Sequence, residues 1–168
     1  MTSYVKGTAA VLAVTALACG CATTDVDAPI RISNLKQGLA RVESQDRGTI
    51  YSEGASFRIE RNGDCIVATK TVPCMWWAIA FDYEAKPETT TLTCLAAFDA
   101  PVTIVDVKER RADVREFSGQ MTLNGTRGHA FWPGYVTIED DTSDVDRLMM
   151  TCQLEGSTVL QVRFEFFK

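Results

Sequence analysis

The sequence is poor in the residue most often used for acid–base chemistry, since it has one histidine, His129. A Ser-His-Asp or Cys-His site would have to be built around this one side chain. The segment around it, GHAFWPGY, contains no nucleophile elbow. We therefore expect His129 to be an ordinary loop or strand residue without a catalytic role.

Positive charge is also scarce. The chain carries 17 Lys and Arg residues against 22 Asp and Glu residues, which gives a formal net charge of −5. Nucleic-acid binding and electrostatic docking onto anionic lipid both depend on clustered basic side chains. The charge balance therefore predicts no nucleic-acid partner.

The apolar run at the N-terminus, residues 7–20, is too short for a comfortable transmembrane helix, which needs about 20 apolar residues. It follows a single basic residue, Lys6, and it ends in small residues. A short basic start, a short apolar middle and a small-residue end are typical of a secretory signal peptide. We therefore assign residues 1–20 to a signal peptide and exclude them from the fold.

Two cysteines stand at the end of this run, in the stretch TALACGCATTD. Ala16-Leu17-Ala18 precedes Cys19, and Ala18-Cys19-Gly20 precedes Cys21. Over residues 1–21 this pattern resembles the lipobox of bacterial lipoproteins. The resemblance implies that the cleaved cysteine becomes the new N-terminus and carries acyl chains such as palmitate. Because Ala22 follows Cys21 where some lipoproteins carry an inner-membrane retention Asp, it also implies the outer membrane, facing the periplasm.

The cysteine count distinguishes the two candidates. Lipidation of Cys21 would remove Cys19 with the signal peptide and leave an even set of four cysteines for pairing. Lipidation of Cys19 would leave Cys21 as an unpaired thiol in an oxidising compartment. We prefer Cys21, with Cys19 as the alternative. Residues 21–29 then form the lipidated cysteine and its tether, and residues 30–168 form a single β domain.

Alternation with a period of two dominates the sequence from Thr49 onward, and turn signals recur at spacings of about 8–12 residues. The last segment, TVLQVRFEFF, is the clearest strand, and the dipeptide Asn124-Gly125 predicts a hairpin. We expect an all-β fold, an antiparallel β-sandwich or small barrel of roughly eight to ten strands.

One short N-terminal helix is compatible with SNLKQGLARV, residues 33–42. Asn34 would cap this helix and Gln37 would complete the capping pair. Leu35, Leu39 and Val42 would form its apolar face.

The four remaining cysteines predict two disulfides. The segment CIVATKTVPC is symmetric about Thr69-Lys70, so that a hairpin would place Cys65 opposite Cys74. Cys94 and Cys152 then remain, each on the apolar face of its strand, which suits a bridge in the core. A metal site would need spacing such as Cys-x-x-Cys, which these four lack. We expect no metal and no cofactor.

Large aromatic residues are the best candidates for a binding surface. Trp76 has small neighbours on its strand face, and Trp132 precedes a Pro-Gly turn signal. We predict a partner-binding patch formed by Trp76, or by the segment that carries His129, Trp132 and Tyr135. The acidic segment 139–146 lacks the glycine and the period of a calcium loop, so we interpret it as a solvated loop and leave calcium binding open.

These features favour a lipid-anchored, non-enzymatic binding or assembly protein of the bacterial cell envelope. Its contact with the membrane is the lipid anchor, and its partner is an envelope protein or glycan. An inhibitor of a hydrolase fits the same description. A hydrolase that acts on an envelope polymer is the alternative class, and a structural spacer is the third.

The Cys21→Ala substitution should release the protein from the membrane fraction, because it removes the atom that carries the anchor, whereas Cys19→Ala should leave the protein attached. Membrane fractionation followed by immunoblotting measures both. The reverse pattern would show that Cys19 carries the acyl chains.

Overall fold

A computed structural model describes residues 28–67, 69–105, 110–138 and 147–167, with the side chains of 102–105 and 110–112 left out. The predicted signal peptide, both candidate lipidation residues and the acidic segment 139–146 lie outside the described residues. No helix in the described part of the chain is long and apolar enough to span a bilayer. The ten described strands are β1 (Ile30–Ser44), β2 (Arg47–Glu53), β3 (Ser56–Arg58), β4 (Gly63–Val67), β5 (Lys70–Ala85), β6 (Thr89–Val105), β7 (Arg110–Asn124), β8 (Arg127–Thr137), β9 (Arg147–Leu154) and β10 (Ser157–Phe167).

The strands form two sheets of five, as the sequence predicts for a sandwich. In sheet A, one edge of β5 pairs with β8. The other edge of β5 pairs with β1 and with β4, and the strand order along this side is β2-β1-β5-β4. Sheet B has the order β3-β10-β9-β6-β7. All pairings are antiparallel except that of β3 with β10. The protein is therefore an all-β, sandwich-like fold, which confirms the predicted fold class.

The core lies between the two sheets, where the alternating apolar residues of each strand meet. Trp77 of sheet A packs against Phe164 and Phe166 of sheet B, with ring centroids 4.8 and 6.5 Å apart. The amide Nε2 of Gln37 in sheet A donates to the carbonyl oxygen of Arg163 in sheet B at 2.8 Å. The predicted alternation of the last strand is confirmed, because its four inward residues are buried: Leu160, Val162, Phe164 and Phe166.

Both predicted disulfides are formed. Cys94 and Cys152 are direct partners on β6 and β9, with their Cα atoms 3.9 Å apart, and both side chains are buried in the core. Cys65 is bonded to Cys74 with a Cα separation of 5.9 Å. In the chain-entropy model, loops of 9 and 58 residues stabilise by roughly 2.5 and 4 kcal/mol.

The predicted hairpin register at the first disulfide is wrong. Cys65 lies opposite Val72, and Gly63 lies opposite Cys74, so that the bridge joins diagonal neighbours. Val67 pairs with Lys70, so the turn lies one residue earlier in the chain than predicted, and Thr69 has a φ of 73° in it. The symmetric order of apolar residues in the sequence did not indicate the position of the turn.

The predicted short helix at residues 33–42 is also wrong, because this segment belongs to strand β1. β1 pairs with β5 on both sides of a register shift between Ser33 and Lys36. Asn34 occupies this bulge with a φ of 49°, a conformation that Asn adopts more readily than most residues. The long-range pairing therefore overrides the local capping pattern.

The predicted hairpin at Asn124-Gly125 is a turn between two sheets instead. β7 pairs with β6 in sheet B, and β8 pairs with β5 in sheet A. The Gly125 amide donates to the carbonyl of Glu88 at 2.6 Å, and the Tyr83 hydroxyl donates to the carbonyl of Asn124 at 2.6 Å. Partners outside the turn therefore direct the chain to the other sheet.

Sheet A has a second apolar cluster on its outer face. Phe131 of β8 lies there with the small residues Ala78 and Ala80 of β5 and Ala40 of β1, and all four are buried. A Cβ atom added at Gly48 of β2 would lie 2.5 Å from Cζ of Phe131. Since β2 and β8 are at opposite margins of the sheet, this contact requires sheet A to curl strongly around its own outer face.

The Thr90→Val substitution should raise the free energy of unfolding by about 1 kcal/mol. The Thr90 side chain is buried, and its hydroxyl has no hydrogen-bond partner within the described residues. Chemical denaturation measures the change. Thr91→Val, at an exposed position of the same strand, is the matched control and should change stability little. A loss of stability specific to Thr90→Val would show that the hydroxyl is satisfied.

Candidate functional site

Trp76 and Tyr135 form an aromatic pair on the outer face of sheet A. They are direct partners on β5 and β8, and their ring centroids lie 5.1 Å apart in an edge-to-face arrangement. Both side chains are half-buried. The sequence predicts Trp76 to be exposed beside small residues. In the structure the indole is partly exposed, and the small residues Ala78 and Ala80 are buried in a cluster with Phe131.

Asn62 fixes the backbone of Trp76 at a gap between two strands. β1 pairs with β5 as far as Trp77, and β4 begins opposite Cys74. Between them, the Asn62 side chain accepts a hydrogen bond from the Trp76 amide at 2.7 Å and donates one to the Trp76 carbonyl at 2.9 Å. This side-chain amide therefore takes the place of a strand residue in the β ladder.

The indole of Trp76 is fixed as well. Its Nε1 donates to the carbonyl of Asp64 at 3.2 Å. A Cβ atom at Gly63 would lie 2.8 Å from Cδ1 of the indole, so only glycine leaves room for the ring here. The orientation of Trp76 is thus set before any partner arrives.

Tyr51 is joined to this pair through Asn62, whose Nδ2 donates to the Tyr51 hydroxyl at 3.0 Å. The register passes from Leu39–Ser52 to Ala40–Ile50, so Tyr51 occupies a bulge in β2. Its side chain is 48% exposed, and the Arg41 guanidinium lies 5.7 Å from the ring centroid. We call Tyr51, Trp76 and Tyr135 the aromatic cluster.

The other residues of the predicted patch lie elsewhere. Trp132 pairs with Ile79 and packs against the core, on the opposite face of β8 from Tyr135, because the two are three positions apart. His129 shares the outer face with Tyr135 but lies six residues away, about 20 Å along an extended strand. The structure therefore brings together Trp76 and Tyr135, without Trp132 or His129.

His129 belongs to a separate polar group. Its Nδ1 lies 2.9 Å from Oδ1 of Asp82, and Asn34 donates to Oδ2 of Asp82 at 2.7 Å. Two hydrogen bonds hold the pKa of Asp82 below its usual value of 3.8: the bond from Asn34 has the larger effect, and the bond from His129 has the smaller. All three side chains reach solvent.

This group does not have the order of a catalytic triad. Ser33 of β1 and His129 of β8 are the strand partners of Asp82 on opposite sides, so the carboxylate lies between the hydroxyl and the imidazole. A triad needs the imidazole in the middle, in contact with the nucleophile. The described residues also contain no group of three or more His, Cys, Asp or Glu side chains that could hold a metal ion.

Sequence reasoning missed Asn62 and Tyr51. The dipeptide Asn62-Gly63 is itself a turn signal and could have indicated a special backbone position beside Trp76. No local signal identifies Tyr51, because its bulge depends on the register between β1 and β2.

No family model and no curated protein sequence matches this chain. Among solved structures, an immunoglobulin-like protein from Pseudomonas aeruginosa is similar with a TM-score of 0.47 and 12% identity, over 84% of this chain and 99% of that one. An alkylpurine DNA glycosylase from Pseudomonas fluorescens, bound to DNA containing an abasic site analogue, has a TM-score of 0.42 and 13% identity over 83% of this chain. The chain spans 31% of the glycosylase. Neither similarity informs the function of this chain.

The Asn34→Gly substitution should raise the pKa of Asp82 towards 3.8, because it removes the first of the two hydrogen bonds while tolerating the positive φ. Carboxyl carbon shifts followed by NMR against pH measure it. Because the pKa of Asp82 is lower in the folded protein, these bonds stabilise the fold above pH about 3.9, and the effect is lost as the pH falls through the lowered value.

Leu35→Gly is the control for this titration, since Leu35 is exposed in the same bulge and leaves both bonds to Asp82 in place. An unchanged pKa of Asp82 in Asn34→Gly would show that the bond from Asn34 is not formed in solution.

Proposed function

We propose that the chain is a lipid-anchored, non-enzymatic binding protein of the bacterial cell envelope, and that it holds a partner protein through the aromatic cluster. One observation carries the binding part: Tyr51, 48% exposed at a bulge, stands beside a Trp76–Tyr135 pair that is already fixed by hydrogen bonds and packing. The lipobox-like sequence supports the anchoring part.

Rigid aromatic side chains suit a protein interface for two physical reasons. They provide a large contact area while losing little conformational freedom on binding, and Tyr, Trp and Arg are the residue types enriched at energetically important contacts. The cluster offers all three types, since Arg41 lies against Tyr51. Asn62 restricts both Trp76 and Tyr51, so that part of the ordering cost is met before a partner binds.

The nature of the polar groups favours a binding role over hydrolysis. Asn62 uses its amide on Trp76 and Tyr51, and the indole nitrogen of Trp76 donates to a backbone carbonyl. These groups hold the ring faces in position and are not arranged for proton transfer to a substrate. The described charged group in contact with the rings of the cluster is the Arg41 guanidinium, against Tyr51.

The experiment is photocrosslinking in intact cells of the native host. A photoreactive amino acid at position 51 should capture a specific envelope protein, and the same group at Phe167 should not, since Phe167 is 51% exposed outside the cluster. Mass spectrometry identifies the captured protein.

With the captured protein in hand, Tyr51→Ala should weaken its binding by roughly 1–2 kcal/mol, about 5- to 30-fold in Kd, because it removes an exposed contact. Isothermal titration calorimetry measures the affinity. Phe167→Ala is the matched control and should leave the affinity unchanged. A Tyr51→Ala protein that binds normally, or that binds weakly only because its Tm has collapsed, would contradict a role for the cluster.

A further inference from the structure

Strand β7 is an edge strand: it lies at one margin of sheet B and has one described partner, β6. Every second residue of an edge strand directs its backbone N–H and C=O groups away from the sheet. These groups need hydrogen-bond partners, and an added strand can form hydrogen bonds with all of them at once.

The margin at β7 is long and regular. Nine consecutive residue pairs join β6 and β7, from Thr89–Asn124 to Ala97–Glu116, without a register shift. Within this stretch, residues 118–123 (SGQMTL) contain no charge and no proline. We call residues 118–123 the open segment of β7.

The other edge strands in the described part of the chain have features that discourage pairing with a further strand. β2 is bulged, β3 has three residues, and β4 has five residues with a disulfide at its centre. β8 is interrupted by Pro133, which cannot donate a backbone hydrogen bond. Natural sheets protect their margins with such features. The open segment of β7 has none of them.

We propose that the open segment pairs antiparallel with the same segment of a second copy of this chain, and that this pairing joins two copies of sheet B into one continuous sheet. The interface is isologous, since each copy contributes the same strand about a two-fold axis. Six residues of extended strand give a contact about 20 Å long.

Charge is the reason for choosing a second copy as the occupant. The chain is acidic, with a net charge of −5, so most of its surfaces repel one another. The exposed side chains of the open segment, Ser118, Gln120 and Thr122, are neutral. In antiparallel self-pairing centred on Gln120, Ser118 of each copy lies opposite Thr122 of the other, so no like charges meet within the open segment and hydroxyl side chains face each other. Two neutral, complementary pairs therefore flank Gln120 at the centre.

The test is the mass of the full chain in solution, in a detergent that disperses any lipid anchor, measured by light scattering after size-exclusion chromatography. We expect twice the chain mass at high concentration and the single mass on dilution. Gln120→Lys should raise the dissociation constant by at least about tenfold, because it brings like charges together at the centre of the pairing.

Two comparisons separate the strand margin from the sheet face. Thr93→Lys places the same charge on the same outer face but on β6, opposite Gln120, and should leave the dimer intact. A mixture of Gln120→Lys and Gln120→Glu proteins should dimerise again, although each should be weakened alone. Far-ultraviolet circular dichroism confirms folding, and Ser118→Lys replaces Gln120→Lys should the latter unfold.

Three results would overturn the proposal: a single chain mass at every concentration, equal disruption by Thr93→Lys and Gln120→Lys, or no recovery in the mixture. Capture of a different protein by a photoreactive group at position 120, with no dimer, would assign the margin to that protein and equally overturn it. None of these results bears on the aromatic cluster, whose test is separate.

Discussion

Strand β5 is buried on both faces, and the rest of sheet A depends on this constraint. Its inner face places Trp77 and Phe81 in the core, and its outer face carries Ala78 and Ala80 under Phe131. Small outer residues let the sheet curl until its margins approach each other. Three other strands take their register from β5. Trp76 is the one half-buried residue between Cys74 and Phe81 of this central strand.

The sequence allowed the fold to be predicted wherever one strand face is buried and the other is not. In β10 the alternation is nearly perfect, because inward residues must leave water and outward residues need not. The segment around Asn34 was misinterpreted because its local pattern fits a helix equally well. Its partner, Asp82, lies 48 residues away, and only the folded chain brings the two together.

The candidate site was predictable in part. Strand parity identified Trp76, and it could also have separated Trp132 from Tyr135, since an odd spacing places two residues on opposite faces. The Asn62-Gly63 dipeptide indicates a turn, but the contact of Asn62 with Trp76 was not predictable, because it arises from a gap between β1 and β4 that exists only in the folded register. Residues that organise a site through backbone contacts carry little signature of their own.

The order of strands in sheet B has a consequence for how the protein is made. β10 lies between β3 and β9, so Phe57 of β3 meets its partner strand only when residues 165–167 are available. β10 also provides the Phe164 side chain that packs on Trp77. A nascent chain therefore cannot close its core until nearly all of the domain has left the ribosome. Until then Trp77 and the rest of β5 lack the strand that covers them, so that they need protection from aggregation during synthesis.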